Sequence, residues 1–312
     1  MIEQFRADVL AGLAAPQKAI PCKYLYDERG SELFDRICRT DDYYVTRADL
    51  ALHENSLPEI ARRIGTGAHI IEFGSGTGLK TRRLLASLHE PRAYTPIEIS
   101  TAALEASVTD LGRAFPDLDI HPVQADYTRQ IDERLFELDP PAARRVVYFP
   151  GSTIGNFDRN EAIGFLERMG RIAGRGGAIL IGVDLLKSRD RLQAAYDDSE
   201  GITAEFNRNL LIRLERELGA QVDPDVFRHE ARFDRDRGRV EMHLVAKRST
   251  AIVLDGRRFE LLPGESIHTE NSYKYSLEGF RDLAVRAGLR AEAHWTDPEN
   301  LFSMHWLRQD QA

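Results

Sequence analysis

The segment from His69 to Gly78 constrains the fold of this chain more than any other. It reads His-Ile-Ile-Glu-Phe-Gly-Ser-Gly-Thr-Gly, and a helix-like segment, residues 79–86, follows at once. A strand, a glycine loop and a helix in this order bring backbone N–H groups close to a nucleotide-like ligand. The spacing Gly-x-Gly-x-Gly, rather than Gly-x-Gly-x-x-Gly, favours S-adenosylmethionine (SAM) over a dinucleotide. The absence of a following Gly-Lys-Ser/Thr excludes a phosphate-binding P-loop.

Strand and helix patterns alternate after this segment. Strands are predicted at 69–73, 93–98, 119–123, 145–149 and 178–184, with helices between them at 79–88, 101–114 and 160–173. Alternation of this kind predicts a parallel sheet with right-handed crossovers. A helix at 277–288 and two strands, 290–295 and 301–308, follow near the end of the chain. A closing strand hairpin is typical of class I methyltransferases, so we predict an α/β, doubly wound, Rossmann-like sheet.

Two regions fall outside the alternating pattern. Residues 1–60 have mostly helical spacing, with a polar and aromatic joint at 42–48 before an amphipathic run at 50–64. Residues 190–275 combine a long helix at about 201–218 with antiparallel strands at 230–234, 239–247 and 257–261. The sequence therefore predicts a SAM-binding core of residues 61–189 and 276–312. A second, α+β substrate-binding domain is predicted from residues 1–60 and 190–275.

Composition narrows the partners of this chain. Of its 312 residues, 42% are hydrophobic, yet no run is long and apolar enough to predict a membrane span, and no signal peptide is recognisable. The cysteines are Cys22 and Cys38, without metal-ligand spacing, so a reduced, cytoplasmic setting and no metal are expected. The net charge of −8 argues against a nucleic-acid partner and favours a small molecule.

Polar residues follow the predicted strands at the edge where ligands bind in open α/β sheets. Glu98 ends the second strand, where a carboxylate accepts hydrogen bonds from ribose hydroxyls; an ordinary solvated glutamate is the alternative. Asp126 and Tyr127 follow the third strand, where they suit an adenine amine and its ring, although an aspartate in a loop is often a turn residue. Lys80 opens the helix after Gly74, Gly76 and Gly78 and suits the methionine carboxylate of SAM, or else is a solvated lysine. These positions are the predicted cofactor site.

The loop after the fourth strand, Pro-Gly-Ser-Thr-Ile-Gly-Asn-Phe at 150–157, lies where such enzymes hold the acceptor atom. Asn156 offers both a donor and an acceptor, which suits the head group of an amino acid, although a structural asparagine in a tight turn is the alternative.

With these motifs in place, the chain resembles the L-histidine Nα-methyltransferases of ergothioneine biosynthesis. The loop Pro-Gly-Ser-Thr-Ile-Gly-Asn and the segment Glu-Asn-Ser at 270–272 carry this resemblance most specifically. The segments that match are 23–35, 42–47, 71–81, 149–156, 182–187, 195–198 and 270–275.

The resemblance implies roles for individual residues. Asn156 and Tyr196 would hold the substrate carboxylate, and Tyr43 and Tyr26 would lie near the α-amino group. Glu270 and Ser272 would grip the two imidazole nitrogens, and Met242 would line the same pocket. The cofactor set would comprise Gly74, Gly76, Gly78, Lys80, Glu98, Asp126 and Tyr127, and three successive methyl transfers would give hercynine.

The residue types agree with that implication. A glutamate and a serine two apart on a strand point to the same face, so together they can read a ring with one donor and one acceptor nitrogen. Two polar residues on a solvent-facing strand are the alternative. The sulfonium methyl of SAM is already activated, so the enzyme must only deliver a neutral amine in line with it, and Tyr43 would orient that amine or relay its proton.

Other functions fit less well. The nearest alternative is an α-N-methyltransferase of another amino acid, such as a tryptophan derivative, whose relatives lack the acid that reads imidazole. A nicotinamide-dependent oxidoreductase is disfavoured by the glycine spacing and the closing hairpin. A SAM-fold scaffold without catalysis is disfavoured by the complete polar sets for cofactor and substrate. Since no exposed heptad or long edge strand stands out, we expect a monomer.

Overall fold

The structure is a computed structural model that describes residues 2–76 and 78–309. The helices in these ranges are α1 (Ile2–Ala14), α2 (Glu28–Ile37), α3 (Tyr44–Ile64), α4 (Leu79–Ser87), α5 (Thr101–Ala114), α6 (Arg159–Ala173), α7 (Arg189–Tyr196), α8 (Ile202–Leu218) and α9 (Leu277–Arg286). The strands are β1 (Ala68–Phe73), β2 (Ala93–Glu98), β3 (Asp119–Ile120), β4 (Val123–Gln124), β5 (Arg144–Phe149), β6 (Ala178–Asp184), β7 (Phe227–Asp234), β8 (Arg239–Ala246), β9 (Thr250–Leu254), β10 (Arg257–Leu261), β11 (Ser266–Tyr273), β12 (Leu289–Thr296) and β13 (Phe302–Gln309). None of these helices is both long and apolar enough to cross a bilayer.

The chain forms two compact units, each built from two stretches. The first unit comprises Met1–Thr46 and Lys187–Lys274, and the second comprises Arg47–Leu186 and Tyr275–Ala312. The division falls inside α3, earlier than the boundary at residue 61 that sequence patterning predicts. The physical reason lies in α3 itself, because Asp49 and His53 hydrogen-bond to groups of the second unit.

The second unit is organised around one mostly parallel sheet. Its strand order is β12-β13-β6-β5-β1-β2-β3, and β4 also pairs with β2. Strand β1 is parallel to β2 and to β5, whereas β13 is antiparallel to β6 and to β12. Every residue of β1 and of β6 is buried, as expected for strands covered by helices on both faces. This topology confirms the predicted doubly wound sheet and its closing hairpin.

The direction in which strands are added reverses at β1. The chain first builds β1, β2 and β3 outward, then returns to place β5 and β6 on the other side of β1. A crevice outside the carboxyl ends of the strands forms at such a switch point, and ligands bind there. The glycine loop that follows β1 is therefore at the position where this fold class binds its ligand.

Two local predictions were wrong. The third strand, predicted at 119–123, divides into β3 and β4, because Pro122 has no N–H to donate to the ladder. His121 N–H still donates to the Tyr94 carbonyl (2.9 Å), so the segment stays beside β2. The joint predicted at 42–48 is shorter than expected, since α3 begins at Tyr44.

The first unit contains an antiparallel sheet in the order β11-β8-β7 and a separate ribbon of β9 and β10. The long helix α8 ends at Leu218 and is capped by Gly219, which adopts a positive φ of 71°. Asn209 on α8 donates to the Asp27 carboxylate (2.7 Å), and the same carboxylate caps α2 through Gly30 N–H. These bonds tie α2 to α8. Helix α7 and strand β9 were not predicted from the sequence.

Candidate active site

The loop after β1 has the backbone shape that the glycine spacing predicts. Gly74 and Gly78 adopt φ values of 73° and 69°, in the left-handed region that favours glycine. A Cβ added at Gly74 would lie 3.5 Å from the ring of Tyr127, so a side chain there would fill the space in front of that ring. Gly76 also has a positive φ, of 48°. The loop therefore leaves room beside Tyr127 for a flat group to approach the backbone.

The predicted partners of ribose and adenine lie at the ends of neighbouring strands. The Glu98 carboxylate ends β2 and accepts from the N–H groups of Ile99 (2.9 Å) and Ser100 (3.2 Å), which fixes its orientation. Asp126 accepts from the Thr128 N–H (3.0 Å), the geometry of a turn residue, and is partly buried. Tyr127 stacks on Phe73 with ring centroids 5.9 Å apart. The cradle beside Gly74 and the oriented Glu98 carboxylate together fit an adenosine-bearing cofactor.

Lys80 forms an ion pair that the sequence did not reveal. Its Nζ lies 2.8 Å from Oδ2 of Asp49, whose side chain is fully buried. The same Oδ2 accepts from the Gly151 N–H (3.1 Å), and His53 lies 3.1 Å from Oδ1. Although burial opposes ionisation, the Lys80 charge and the contacts with His53 hold the pKa of Asp49 well below its usual value. An ammonium has three donors, so this pair is compatible with the predicted contact of Lys80 with a carboxylate.

The predicted acceptor loop follows β5. Asn156 ends a 3₁₀ turn, Thr153–Asn156, and is partly buried. Gly151 opens the loop with a φ of 72°, and Ser152 Oγ accepts from the Asp184 N–H (3.0 Å) at the end of β6. The loop is thus held to the carboxyl ends of two strands of the same sheet, the edge where Glu98 also lies.

The predicted imidazole-binding residues belong to the first unit. Glu270 and Ser272 both lie on β11 and are buried, with exposed fractions of 8% and 2%. Met242 lies directly opposite Glu270 in the register of β8, and is also buried. The polar pair therefore does not face solvent, which rules out the alternative of a solvated strand face.

Glu270 has an unsatisfied carboxylate oxygen. Its Oε2 is buried and accepts no hydrogen bond from the part of the chain that the structure describes. Burial raises the pKa of Glu270 to about 7, although the positive charge of Lys274 lowers it. An unsatisfied buried carboxylate costs free energy, so its persistence beside Ser272 indicates a polar ligand at this position.

Ser272 belongs to a three-membered hydrogen-bond cluster. Its Oγ lies 2.6 Å from the hydroxyl of Tyr196 at the end of α7. Lys274 Nζ donates to both oxygens at 2.8 Å. The sequence did not identify Lys274 as a site residue, although the strand alternation that pairs Glu270 with Ser272 extends to it two positions further on.

Aromatic rings surround the same group. The ring of Tyr43 lies 6.2 Å from that of Tyr196 and 6.1 Å from that of Phe34, which in turn contacts Tyr26 at 5.5 Å. Burial, with smaller contributions from Tyr196 and the other neighbouring acids, raises the pKa of Tyr43 well above its usual value, so the phenol stays protonated. The neighbouring Tyr44 packs instead under cationic side chains.

The predicted residues thus form two groups. The first unit brings together the three tyrosines, the polar pair on β11 and the methionine opposite it: Tyr26, Tyr43, Tyr196, Met242, Glu270 and Ser272. The second unit carries the cofactor set and Asn156 on the loops at one edge of its sheet.

Three side chains on β8 and β11 are of the types that bind metal ions. Atoms of Glu241, His243 and His268 lie within 4.8 Å of one another. The Glu241 carboxylate, however, pairs with Arg239 and hydrogen-bonds to His243 Nε2 (3.0 Å), and His268 Nε2 hydrogen-bonds to the Glu270 carbonyl (3.0 Å). The Glu241 carboxylate and both histidine rings therefore have hydrogen-bond partners within the protein, and the expectation of no metal stays a prediction.

Comparison with known proteins identifies the family. The family profile described as "Histidine-specific methyltransferase, SAM-dependent" matches residues 5–309. The histidine N-alpha-methyltransferase of Mycolicibacterium smegmatis is 36% identical over 97% of this chain and 94% of its own length. That of Mycobacterium tuberculosis is 36% identical over 96% and 93%. A more distant relative, an L-tryptophan methyltransferase of Psilocybe serbica, is 25% identical over 98% of this chain and 93% of its own. The chain belongs to the family of histidine-specific, SAM-dependent methyltransferases.

Proposed function

We propose that this enzyme transfers methyl groups from SAM to the α-amino group of L-histidine, three times in succession, to give hercynine. The observation that carries the proposal is the buried polar pair on β11. Glu270 offers an unsatisfied carboxylate oxygen and Ser272 a hydroxyl two residues away. Such a pair matches the two nitrogens of an imidazole ring, and a buried pair of this kind rejects a ring without a polar edge far better than an apolar pocket does.

The remaining contacts divide between the two ends of the amino acid. Asn156 and Tyr196 would bind the carboxylate, since both can donate hydrogen bonds to it. Tyr43, whose pKa is raised, would stay protonated and accept from the α-amine through its oxygen, orienting the nitrogen lone pair towards the methyl group. Tyr26 would complete the aromatic wall around that amine. Each methyl removes an N–H donor, and aromatic rings accommodate the growing apolar bulk.

The cofactor supplies an activated methyl group when it is bound. Glu98 would orient it through the ribose, Asp126 and Tyr127 through the adenine, and Lys80 through the methionine carboxylate. The chain's own contribution to the rate is then positioning, because holding two reactants in line is worth roughly 7–11 kcal/mol in favourable cases. Only the neutral α-amine has a lone pair to attack the methyl group, so the substrate must lose an ammonium proton before each transfer.

Mass spectrometry tests the proposal directly. The purified protein is incubated with SAM and L-histidine, and products carrying one, two and three added methyl groups are followed over time. L-Tryptophan serves as the competing substrate, since one distant relative is named for it. Methylated tryptophan without methylated histidine would refute the substrate assignment. Accumulation of the monomethyl product alone would refute the threefold transfer.

A substitution tests the role of the pair. Glu270→Ala should raise the Michaelis constant for histidine by on the order of a hundredfold, because the ring nitrogen would lose a charged partner. The Michaelis constant for SAM should stay within about twofold of the wild type, since no contact of Glu270 with the cofactor is proposed. An unchanged constant for histidine would remove Glu270 from the ring site.

A monomeric state and a cytoplasmic location stay predictions, which size-exclusion chromatography and cell fractionation can check.

A further inference from the structure

Lys274 is a buried lysine that the proposed mechanism does not use. It follows the last residue of β11 and has an exposed fraction of only 2%. Lysine is almost never fully buried unless it is paired, so the contacts of its ammonium explain its position. The ammonium donates to the hydroxyls of Ser272 and Tyr196. In the proposed function, Ser272 binds the imidazole ring of the substrate and Tyr196 binds its carboxylate.

Counting protons shows what Lys274 does to these hydroxyls. An ammonium only donates, so the oxygens of Ser272 and Tyr196 both accept from it. The two hydroxyls also bond to each other at 2.6 Å, so one of them gives its proton to the other. If Tyr196 gives its proton to a carboxylate, Ser272 must donate to Tyr196 and can meet the ring only as an acceptor. With an anionic Glu270, the pair then suits a ring that carries a proton on each nitrogen, rather than the ring with one donor and one acceptor nitrogen expected from the residue types alone. The state of one contact therefore fixes the chemistry of the other.

The positive charge of Lys274 also acts on Glu270. Lys274 lies just after the strand that carries Glu270, and its charge favours the anionic form of that carboxylate, against the effect of burial. The charge of Glu270 also contributes to the raised pKa of Tyr43, which is neutral at ordinary pH. Met242, opposite Glu270 on β8, carries no charge.

We propose that Lys274 is a positioning residue for the amino-acid substrate: by donating to both Ser272 and Tyr196, it links recognition of the ring to recognition of the carboxylate. The inference rests on the proposed function, because the linkage has meaning only for a ligand with both groups, as histidine has. The ammonium touches neither reacting atom, and acts through the two hydroxyls.

Lys274→Met tests this role, because methionine keeps a similar apolar length and removes every donor. The Michaelis constant for histidine should rise on the order of tenfold to a hundredfold, the effect of losing hydrogen bonds from a charged group. The turnover number should stay within about threefold and the Michaelis constant for SAM within about twofold, since neither depends on the hydroxyls. The matched control is Lys247→Met, which removes the same charge from an exposed lysine just after β8 and should change none of these constants.

Several outcomes would overturn the inference. A histidine constant within twofold of the wild type would show that Lys274 is dispensable. A parallel loss of turnover and SAM affinity would show a merely structural role. In the double variant with Ser272→Ala, a further full loss would show that the two residues act independently, because linked residues give non-additive effects.

A second cycle does not depend on whether Lys274→Met folds. With Lys274 intact, Ser272→Ala and Tyr196→Phe should be non-additive by about tenfold in the Michaelis constant for histidine, and additivity would refute the linkage. The failure of the proposed function reads differently. A wild-type enzyme that methylates no histidine refutes the substrate assignment, whereas an active wild type with an unaffected Lys274→Met refutes only the role of Lys274.

Discussion

Replacing Asp49 with asparagine should destabilise the second unit by about 2–3 kcal/mol. Asp49 has no exposed surface, and its Oδ2 receives both the Lys80 ammonium and the Gly151 N–H. Removing one partner of a buried ion pair typically costs about 3–5 kcal/mol. The Lys80 side chain is 27% exposed, so water compensates part of that loss, and the expected cost falls to about 2–3 kcal/mol.

Urea unfolding followed by tryptophan fluorescence measures this effect cleanly. The protein has two tryptophans, Trp295 and Trp306, and both belong to the second unit, where Asp49 lies. The matched control is Asp110→Asn, which removes one partner of a pair with Arg82 in which both side chains are more than half exposed. Surface pairs contribute about 0–1 kcal/mol, so the control should unfold almost as the wild type does.

The pH dependence of the free energy of unfolding tests the same prediction independently. The pKa of Asp49 is depressed in the folded protein, so its contribution to stability is fully present above the unfolded value of 3.8 and is lost as pH falls through the folded value. The difference between wild type and Asp49→Asn should therefore be constant from about pH 8 to about pH 5 and shrink only in stronger acid. Equal destabilisation by Asp49→Asn and Asp110→Asn would refute the reasoning.

Three further predictions follow from single contacts. Gly182→Ala should destabilise the second unit by about 1–3 kcal/mol or more in the same urea assay, because an added Cβ would lie 2.3 Å from the Gly151 carbonyl oxygen; an unchanged midpoint would contradict the close approach. Glu98→Ala should weaken SAM binding on the order of tenfold or more by calorimetry, and unaltered affinity would place the ribose elsewhere. For Glu72, burial raises the pKa to about 7, so the wild type should lose stability relative to Glu72→Gln as pH rises from about 5 to about 8; a flat difference would refute this.

The sheet was predictable because its strands are buried on both faces. Strands β1 and β6 are short, mainly apolar runs, and their predicted limits differ from the observed ones by at most one residue. The prediction of a single third strand was wrong, because a local pattern of strand-forming residues does not show where the hydrogen-bond ladder is interrupted. The interruption lies at Pro122, which has no N–H and separates β3 from β4.

The candidate site was predictable where a residue type is unusual for its local structure. Glycines at alternate positions after an apolar strand mark a close backbone approach, and Gly74 and Gly78 adopt the positive φ that this requires. Asp49 and Lys274 escaped prediction for the opposite reason. A charged residue in a helix or beside a strand ordinarily indicates a solvated surface, and only three-dimensional contacts with Lys80 or Tyr196 distinguish a buried ion.

Within the second unit, Leu186 and Tyr275, the residues that flank the stretch 187–274, lie side by side at the end of β6. Leu186 N–H donates to the Tyr275 carbonyl (2.9 Å), and Tyr275 N–H donates to that of Asp184 (3.1 Å). The chain thus leaves and re-enters the sheet at neighbouring positions. A change in the length of the stretch 187–274 would therefore leave the register of the sheet strands unaltered, because both of its junctions are fixed at the same point of the sheet. Chimaeras joined at Leu186 and Tyr275 would show whether substrate choice travels with the inserted stretch.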